Sequence, residues 1–290
     1  LSNDIDVQKK NGLCLAFTED EEKLLIERSK IRKEYGADIS IISRKEAQII
    51  DPNINSRIKC AAFCEMDGYV SANQTGHAYS RALKENKVKI LENYDVSEID
   101  YSKNKYVIIF KNGEKLFASS LILATGVHLE KTLKLLQINI NIKCLPQQLI
   151  VSERMPRIMD TVITVANGKL SLKQFKNGTV LIGGGWPGIG NIEDNYTETK
   201  PENLIGNMML ACHAVPKLKS SRVARVWLGL EAETDDAMPI IGKLPKLKNA
   251  YVIGSIHSGY TSGPYMGKLL AEKFLGKDVD LSLFDIKRFL

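Results

Sequence analysis

The sequence predicts an α/β protein of mixed α+β character, in which a lobe with parallel strands is interleaved with an antiparallel one. Three stretches carry that expectation. The first is Tyr251-Val-Ile-Gly-Ser-Ile-His-Ser-Gly-Tyr-Thr-Ser-Gly-Pro-Tyr-Met-Gly267, an apolar strand, a loop dense in Gly and Ser, and a helix. The helix is expected to carry Pro264 near its first turn and to lay Met266, Leu269, Leu270 and Phe274 along one side. The second is Leu121-Ile-Leu-Ala-Thr-Gly126, which reads as a fully buried strand that ends in small residues. The third is a run of alternating apolar segments at residues 162–166, 170–175 and 180–184, joined by Asn167-Gly168 and Asn177-Gly178. Asn-Gly is the residue pair that a tight hairpin turn demands, so these three segments form an antiparallel meander.

The remaining elements follow the same local rules. Thr18-Glu-Asp-Glu-Glu-Lys opens a helix on a Thr cap with acidic residues in its first turn, and Leu24, Leu25 and Ile31 supply apolar positions. Ser43 and Glu46 form a capping box for a short helix that stops before Asp51-Pro52. Residues 58–65 read as a strand, Asp67-Gly68 as a turn, and residues 73–86 as a helix capped by Asn73. Short strands are expected at 88–91, near 96–99, at 106–111 and at 116–117, with Asn112-Gly113 as a hairpin turn. Residues 1–11 read as polar and irregular.

Composition excludes several classes. No apolar run approaches the roughly 20 residues a membrane helix needs, and Leu1-Ser-Asn-Asp is unlike a signal peptide. The net charge of +6 comes from lysines spread along the chain, without a basic run, which argues for a solvated surface and against a nucleic-acid partner. Five cysteines (Cys14, Cys60, Cys64, Cys144, Cys212) form no CxxC pair, so no metal site is expected and a reducing cytoplasm is the default.

Two places are candidates for chemistry. Around residues 254–261, glycine lets backbone approach a ligand, and a helix N-terminus supplies positive potential for a planar or anionic group. At Ala124-Thr125-Gly126, small residues at the end of a buried strand leave room where α/β sheets bind ligands. The alternative at each is an ordinary strand-to-helix turn. A third stretch, Thr179-Val-Leu-Ile-Gly-Gly-Gly-Trp-Pro-Gly-Ile-Gly190, imitates a dinucleotide fingerprint. Its spacing is GxxGxG and no apolar helix follows, so it reads as the last strand of the meander.

Taken together, Gly229-Leu230, Thr234-x-Asp236, Met238-Pro-Ile-Ile-Gly242, Gly254, Ser258-Gly259 and Pro264-x-x-Gly267-x-Leu-Leu-Ala271 resemble the C-terminal signature of the D-amino-acid oxidase-like FAD-dependent oxidoreductases. That group includes glycine, sarcosine and opine oxidases, hydrogen cyanide synthase and amino-acid dehydrogenase subunits. Asp67-Gly-Tyr-Val-Ser-Ala72 is similar to a family segment that ends in Pro, and Gln148 keeps the last residue of a family "P-x-R-G-Q" strand. The resemblance implies an FAD-binding Rossmann-like domain interleaved with an antiparallel substrate domain. The expected division is 1–50 (substrate-domain helical segment), 51–142 (FAD domain), 143–222 (antiparallel substrate domain) and 223–290 (FAD domain). No GxGxxG turn stands before residue 40 and the chain opens on Leu1, so the expectation is a fragment without the family's first βαβ unit.

The resemblance also implies roles. Noncovalent FAD would lie against Val96, Ala124, Thr125, Gly126, Gly254, Ser255, Ser258, Gly259, Tyr260 and Thr261, and residues 222–290 contain no cysteine to tether it. The implied reaction is hydride transfer from a substrate C–H beside nitrogen to the flavin, giving an imine. Glycine-oxidase-like members hold the substrate carboxylate with Arg just after the Gly-Leu pair; here that position is Glu231, and a second family Arg is replaced by His257. Glu231, His257 and Tyr260 are thus the substrate-pocket candidates within an implied class of amino-acid, secondary-amine or opine substrates; Glu231 itself suits a cationic or secondary-amine substrate over a plain α-amino acid bound in the usual way, and alternatively it is a solvated or paired loop carboxylate. The expected partners are that small molecule and a second subunit of a heteromeric dehydrogenase. The competing reading is a non-catalytic subunit.

Overall fold

Alternating segments and short apolar runs together build an eight-stranded sheet. In the computed structural model, which describes residues 5–193, 196–254 and 258–290, its strands run in the order Val223–Glu233, Lys143–Ser152, Val180–Gly183, Ser171–Gln174, Val162–Val165, Gly12–Ala16, Cys60–Cys64 and Ile39–Ser43. The meander forms as the Asn-Gly turns require, with Ile163 opposite Leu172 and Leu172 opposite Ile182. Val162–Val165 runs parallel to Gly12–Ala16. On one face Leu13, Leu15, Ile150, Ile163, Leu172 and Ile182 make a continuous core with Ala47, Ala211 and Ala214 from the helices Arg44–Ile50 and Pro201–Ala214. On the other face the helix Glu19–Glu34 covers Cys14, Ala16, Cys60 and Ala62 with Leu25.

Caps behave as predicted at two helices. Thr18 and Glu21 close a capping box on Glu19–Glu34, and Ser43 and Glu46 close one on Arg44–Ile50. Buried Asp51, which caps the second helix at its C-terminal end, accepts hydrogen bonds from Asp160 N, Thr161 N and Thr161 Oγ1 at 3.0, 3.3 and 3.0 Å.

Several expectations are corrected. The helix after residue 71 spans Ala72–Glu85 and is capped by Ser71, whose hydroxyl accepts from Gln74 N, so Asn73 lies inside its first turn. Residues 88–91 form no strand. Gln8–Lys9, within the stretch read as irregular, pairs with Gly68–Tyr69 of the expected Asp67-Gly68 turn. The strands Gly12–Ala16 and Ile39–Ser43 were not anticipated; the first is short and apolar throughout, and periodicity cannot distinguish such a run from a buried helix segment. Leu121–Leu123 is a strand, but at the edge of its sheet, so Ile122 is 46% exposed and only Leu123 is buried.

The described residues cluster into two units. One comprises Leu1–Lys89, Gln147–Ile189 and Glu198–Leu228 and holds most of the large sheet. The other comprises Ile90–Pro146, Gly190–Thr197 and Gly229–Leu290 and carries two small sheets. In the first of these, Ile240–Lys243 is antiparallel to Ala250–Gly254, which is parallel to Leu121–Leu123. The second is an antiparallel meander of Val96–Ser102, Lys105–Phe110 and Lys115–Ala118. Fully buried Tyr106 joins them, its hydroxyl donating to Lys248 O at 2.7 Å. Tyr106→Phe should lower stability by about 1 kcal/mol, because Lys248 O loses its buried donor while the ring still fills its site. A chemical-denaturation midpoint unchanged from wild type would contradict this.

Candidate active site

Parallel pairing brings the two sequence candidates together. Leu121 sits opposite Ala250 and Leu123 opposite Val252, so both strands end at the same edge of the sheet. Beyond one end lies Ala124-Thr125-Gly126; beyond the other lie Gly254 and, after residues 255–257, Ser258 and the sixteen-residue helix Gly259–Phe274. The carboxyl edge of parallel strands is where open α/β sheets take ligands, since loop backbone and helix N-termini converge there. The strand end at Gly254 also packs against the helix that follows the Ala124–Gly126 turn. A Cβ added at Gly254 would meet fully buried Leu129 Cδ2 at 2.6 Å, so the glycine is required by the close approach of the Leu129–Lys134 helix.

The Ala124–Gly126 turn has the properties of a cradle. Gly126 adopts φ +54°, a conformation that costs other residues energy, and the space where its Cβ would stand is open. The Thr125 hydroxyl oxygen is buried and, among the described residues, has no hydrogen-bond partner. A buried hydroxyl left unpaired costs about 1–3 kcal/mol, so this oxygen is suited to accept or donate to a polar group brought to the turn. This turn and the small residues opposite it fit the pyrophosphate-linked, planar FAD that the sequence implied.

At the helix the structure refines the expectation. Gly259, Tyr260 and Thr261 form its first turn, and Pro264 falls in its second. The reason is Ser258, which takes the left-handed conformation (φ 56°, ψ 40°) and swings the chain directly into the helix. Its N–H donates to Glu231 Oε1 at 2.8 Å. Glu231 therefore lies on the strand Val223–Glu233 rather than on a loop, and its carboxylate complements the positive end of the helix. That is the paired alternative for this residue.

Of the other predicted residues, Val96 begins the separate antiparallel meander, opposite Phe110, and is 37% exposed. Tyr260 is exposed on the first helical turn. Ser255 and His257 lie outside the described residues. Among the described residues, no group of three His, Cys, Asp or Glu is placed to hold a metal ion, and no helix is long and apolar enough to cross a membrane. Burial pushes the Cys14 thiol up and the Cys60 thiol to about 11, so neither is an activated nucleophile.

Sequence reasoning did not single out Arg288, which clamps the turn before the Ile240–Lys243 strand. Its Nε donates to Asp236 Oδ2 at 2.7 Å, and one terminal nitrogen donates to Met238 O and Pro239 O at 2.9 and 3.0 Å. Thr234 Oγ1 lies 2.8 Å from Asp236 Oδ1 and 2.7 Å from Met238 O, which closes the turn. The Arg288 guanidinium holds the Asp236 carboxyl far below the usual range. No sequence signal links two residues 52 positions apart.

Known proteins share much of this chain. Hydrogen cyanide synthase subunit HcnC of Pseudomonas protegens is 26% identical over 248 residues, covering 82% of this chain and 57% of that protein. A subunit of the opine oxidase of Rhizobium meliloti is 22% identical over 254 residues, covering 86% of this chain and 64% of that one. The chain thus spans about three fifths of the length of these curated relatives. L-proline dehydrogenase from P. horikoshii superposes with a TM-score of 0.90 at 22% identity, covering 98% of this chain and 78% of that structure, which shows the same fold. Residues 1–273 match the DAO family, and this chain belongs to that family of FAD-dependent oxidoreductases.

Proposed function

We propose that the whole protein oxidises the C–N bond of a small amine, amino acid or opine-type substrate with noncovalently held FAD. The observation that carries this reading is the buried Thr125 hydroxyl at the carboxyl edge of the parallel strands, which has no partner among the described residues. Residues that would hold the cofactor are Ala124, Thr125, Gly126, Gly254, Ser258, Gly259 and Thr261. When bound, FAD supplies the two-electron acceptor for hydride removed from the carbon beside nitrogen. The chain's own contribution is positional. Glu231 fixes the Ser258 N–H and thereby the start of the helix. The positive end of that helix favours negative charge at the carboxyl edge of the sheet.

In this reading the eight-stranded sheet belongs to the substrate domain, and the mixed three-stranded sheet with Leu121–Leu123 to the cofactor domain. The relatives that are named as subunits support a second polypeptide as partner, and five free cysteines support a reducing, cytoplasmic setting.

The test is an absorbance spectrum of the full-length protein before and after anaerobic addition of proline, sarcosine and an opine. A flavin spectrum bleached by one of them is the expected result and names the substrate branch. Protein that is colourless and takes up no added FAD would refute the reading in favour of a non-catalytic subunit.

A further inference from the structure

The unit that comprises Leu1–Lys89, Gln147–Ile189 and Glu198–Leu228 carries an apolar groove of about 380 Å³. Ile205, Met209 and Cys212 stand at helical spacing on Pro201–Ala214 and line one side of it. Val223 and Val226 of the strand Val223–Glu233 line the other, with Ile150 of the neighbouring strand. Every side chain that lines the groove is aliphatic or carries sulfur, and Ile205 and Met209 are 60% and 68% exposed. Apolar surface gathered in this way marks an interaction site, where scattered apolar residues would not.

Two further features say what the groove takes. Val223–Glu233 ends the eight-stranded sheet, so no described strand pairs with its outer edge, and backbone groups there are open to a further strand. Charge is the second feature. The sequence has no acidic residue between Glu202 and Glu231, whereas Lys217, Lys219, Arg222 and Arg225 are all exposed. None of the four has an ion-pair partner among the described residues; Glu153 meets Arg222 through its backbone, N–H to O at 2.8 Å. Burial raises the Cys212 thiol and the charge of Lys219 opposes that rise, so the ammonium lies within electrostatic reach of the groove.

From this placement we propose that the groove and the open edge dock an extended segment of a second, different polypeptide, in which apolar and acidic residues alternate. The segment adds a further strand beside residues 223–228, and its backbone satisfies the open edge. Val226 packs toward the helical core, so Arg225 stands on the opposite face of the strand. Alternation in the incoming segment therefore sends apolar side chains into the groove and carboxylates toward Arg225. A second copy of this chain is the poorer occupant. Pairing this edge with itself gathers Arg222 and Arg225 of both copies along one seam, where like charges repel. The inference deepens the second-polypeptide part of the reading above and rests on that part alone, so flavin binding and docking fail independently.

The test is fluorescence anisotropy of the full-length protein with a labelled nine-residue peptide of alternating Val and Glu. Control peptides carry Lys in place of Glu, or a central Pro that blocks strand pairing. Wild type should bind the Val–Glu peptide about tenfold or more tightly than either control, and hydrogen exchange should slow at residues 223–228 when it binds. Met209→Glu and Arg225→Glu should each weaken that peptide about tenfold or more while leaving the thermal midpoint unchanged. If Arg225→Glu does not fold, Arg225→Gln takes its place, judged by the same ratio. Equal binding by wild type and the variants overturns the inference. Wild type that ignores the peptide, but dimerises or sediments with phosphatidylserine vesicles unless Met209 is replaced by Glu, also overturns it and assigns the face to a second copy or a lipid surface. An identified partner subunit that co-purifies equally with wild type and Met209→Glu keeps the partner reading and overturns this site.

Discussion

Arg288→Met should destabilise the protein by about 2–3 kcal/mol, which is the loss of charge-assisted hydrogen bonds to one carboxylate and two carbonyls, discounted for partial solvent exposure. The Arg288 and Asp236 side chains are 21% and 37% exposed, so the ion pair on its own would contribute little. The main loss comes from Met238 O and Pro239 O, which are left without their donor at the entry to a buried strand. The same variant should change the response to acid. Asp236 has a folded-state pKa depressed by Arg288, so its contribution to stability is present above its unfolded value, about 4, and is lost as pH falls below that. Wild type should therefore lose stability more steeply than Arg288→Met between about pH 4 and pH 2. Denaturant midpoints across that range check both statements, and parallel pH curves for the two proteins would show that Arg288 is not what tunes Asp236.

The second large effect is expected at Thr125, with opposite signs in the two states of the protein. Thr125→Val keeps the shape and removes an unpaired buried hydroxyl, so FAD-free protein should gain about 1–2 kcal/mol. FAD affinity should fall about tenfold or more, because the hydroxyl that waits for a polar partner is gone. Thermal melts of the FAD-free protein and titration with FAD separate the two. A variant that is less stable without FAD and binds FAD as wild type does would show that the hydroxyl finds its partner within the protein.

Much of the architecture was legible residue by residue because its signals are local. Asn167-Gly168 and Asn177-Gly178 set the meander, and Thr18 with Glu21 and Ser43 with Glu46 set two helix starts. Local signals also misled where two readings competed. Ser71 outcompeted Asn73 as a cap by lying one residue before the helix. The Gly-Ser run at 258–263 read as a loop because its residues are poor helix formers, yet it is helical from Gly259 once Ser258 takes a left-handed turn. Gly12–Ala16 and Ile39–Ser43 become strands by pairing with Cys60–Cys64, a partner that neither segment can announce.

What the amino-acid order determined by itself was therefore the kind of fold, the family resemblance and the two candidate loops, since turn chemistry, capping and small-residue spacing act over a few positions. What only the tertiary structure decided was the company each residue keeps. Parallel pairing set the ends of Leu121–Leu123 and Ala250–Gly254 at one edge of their sheet, and folding buried the Thr125 hydroxyl without a partner among the described residues. Folding likewise drew Glu231 onto the Ser258 N–H and Arg288 onto Asp236. Hydrogen bonding, desolvation and charge pairing depend on distance in space, and residues far apart along a chain carry no local mark of the neighbour they will meet.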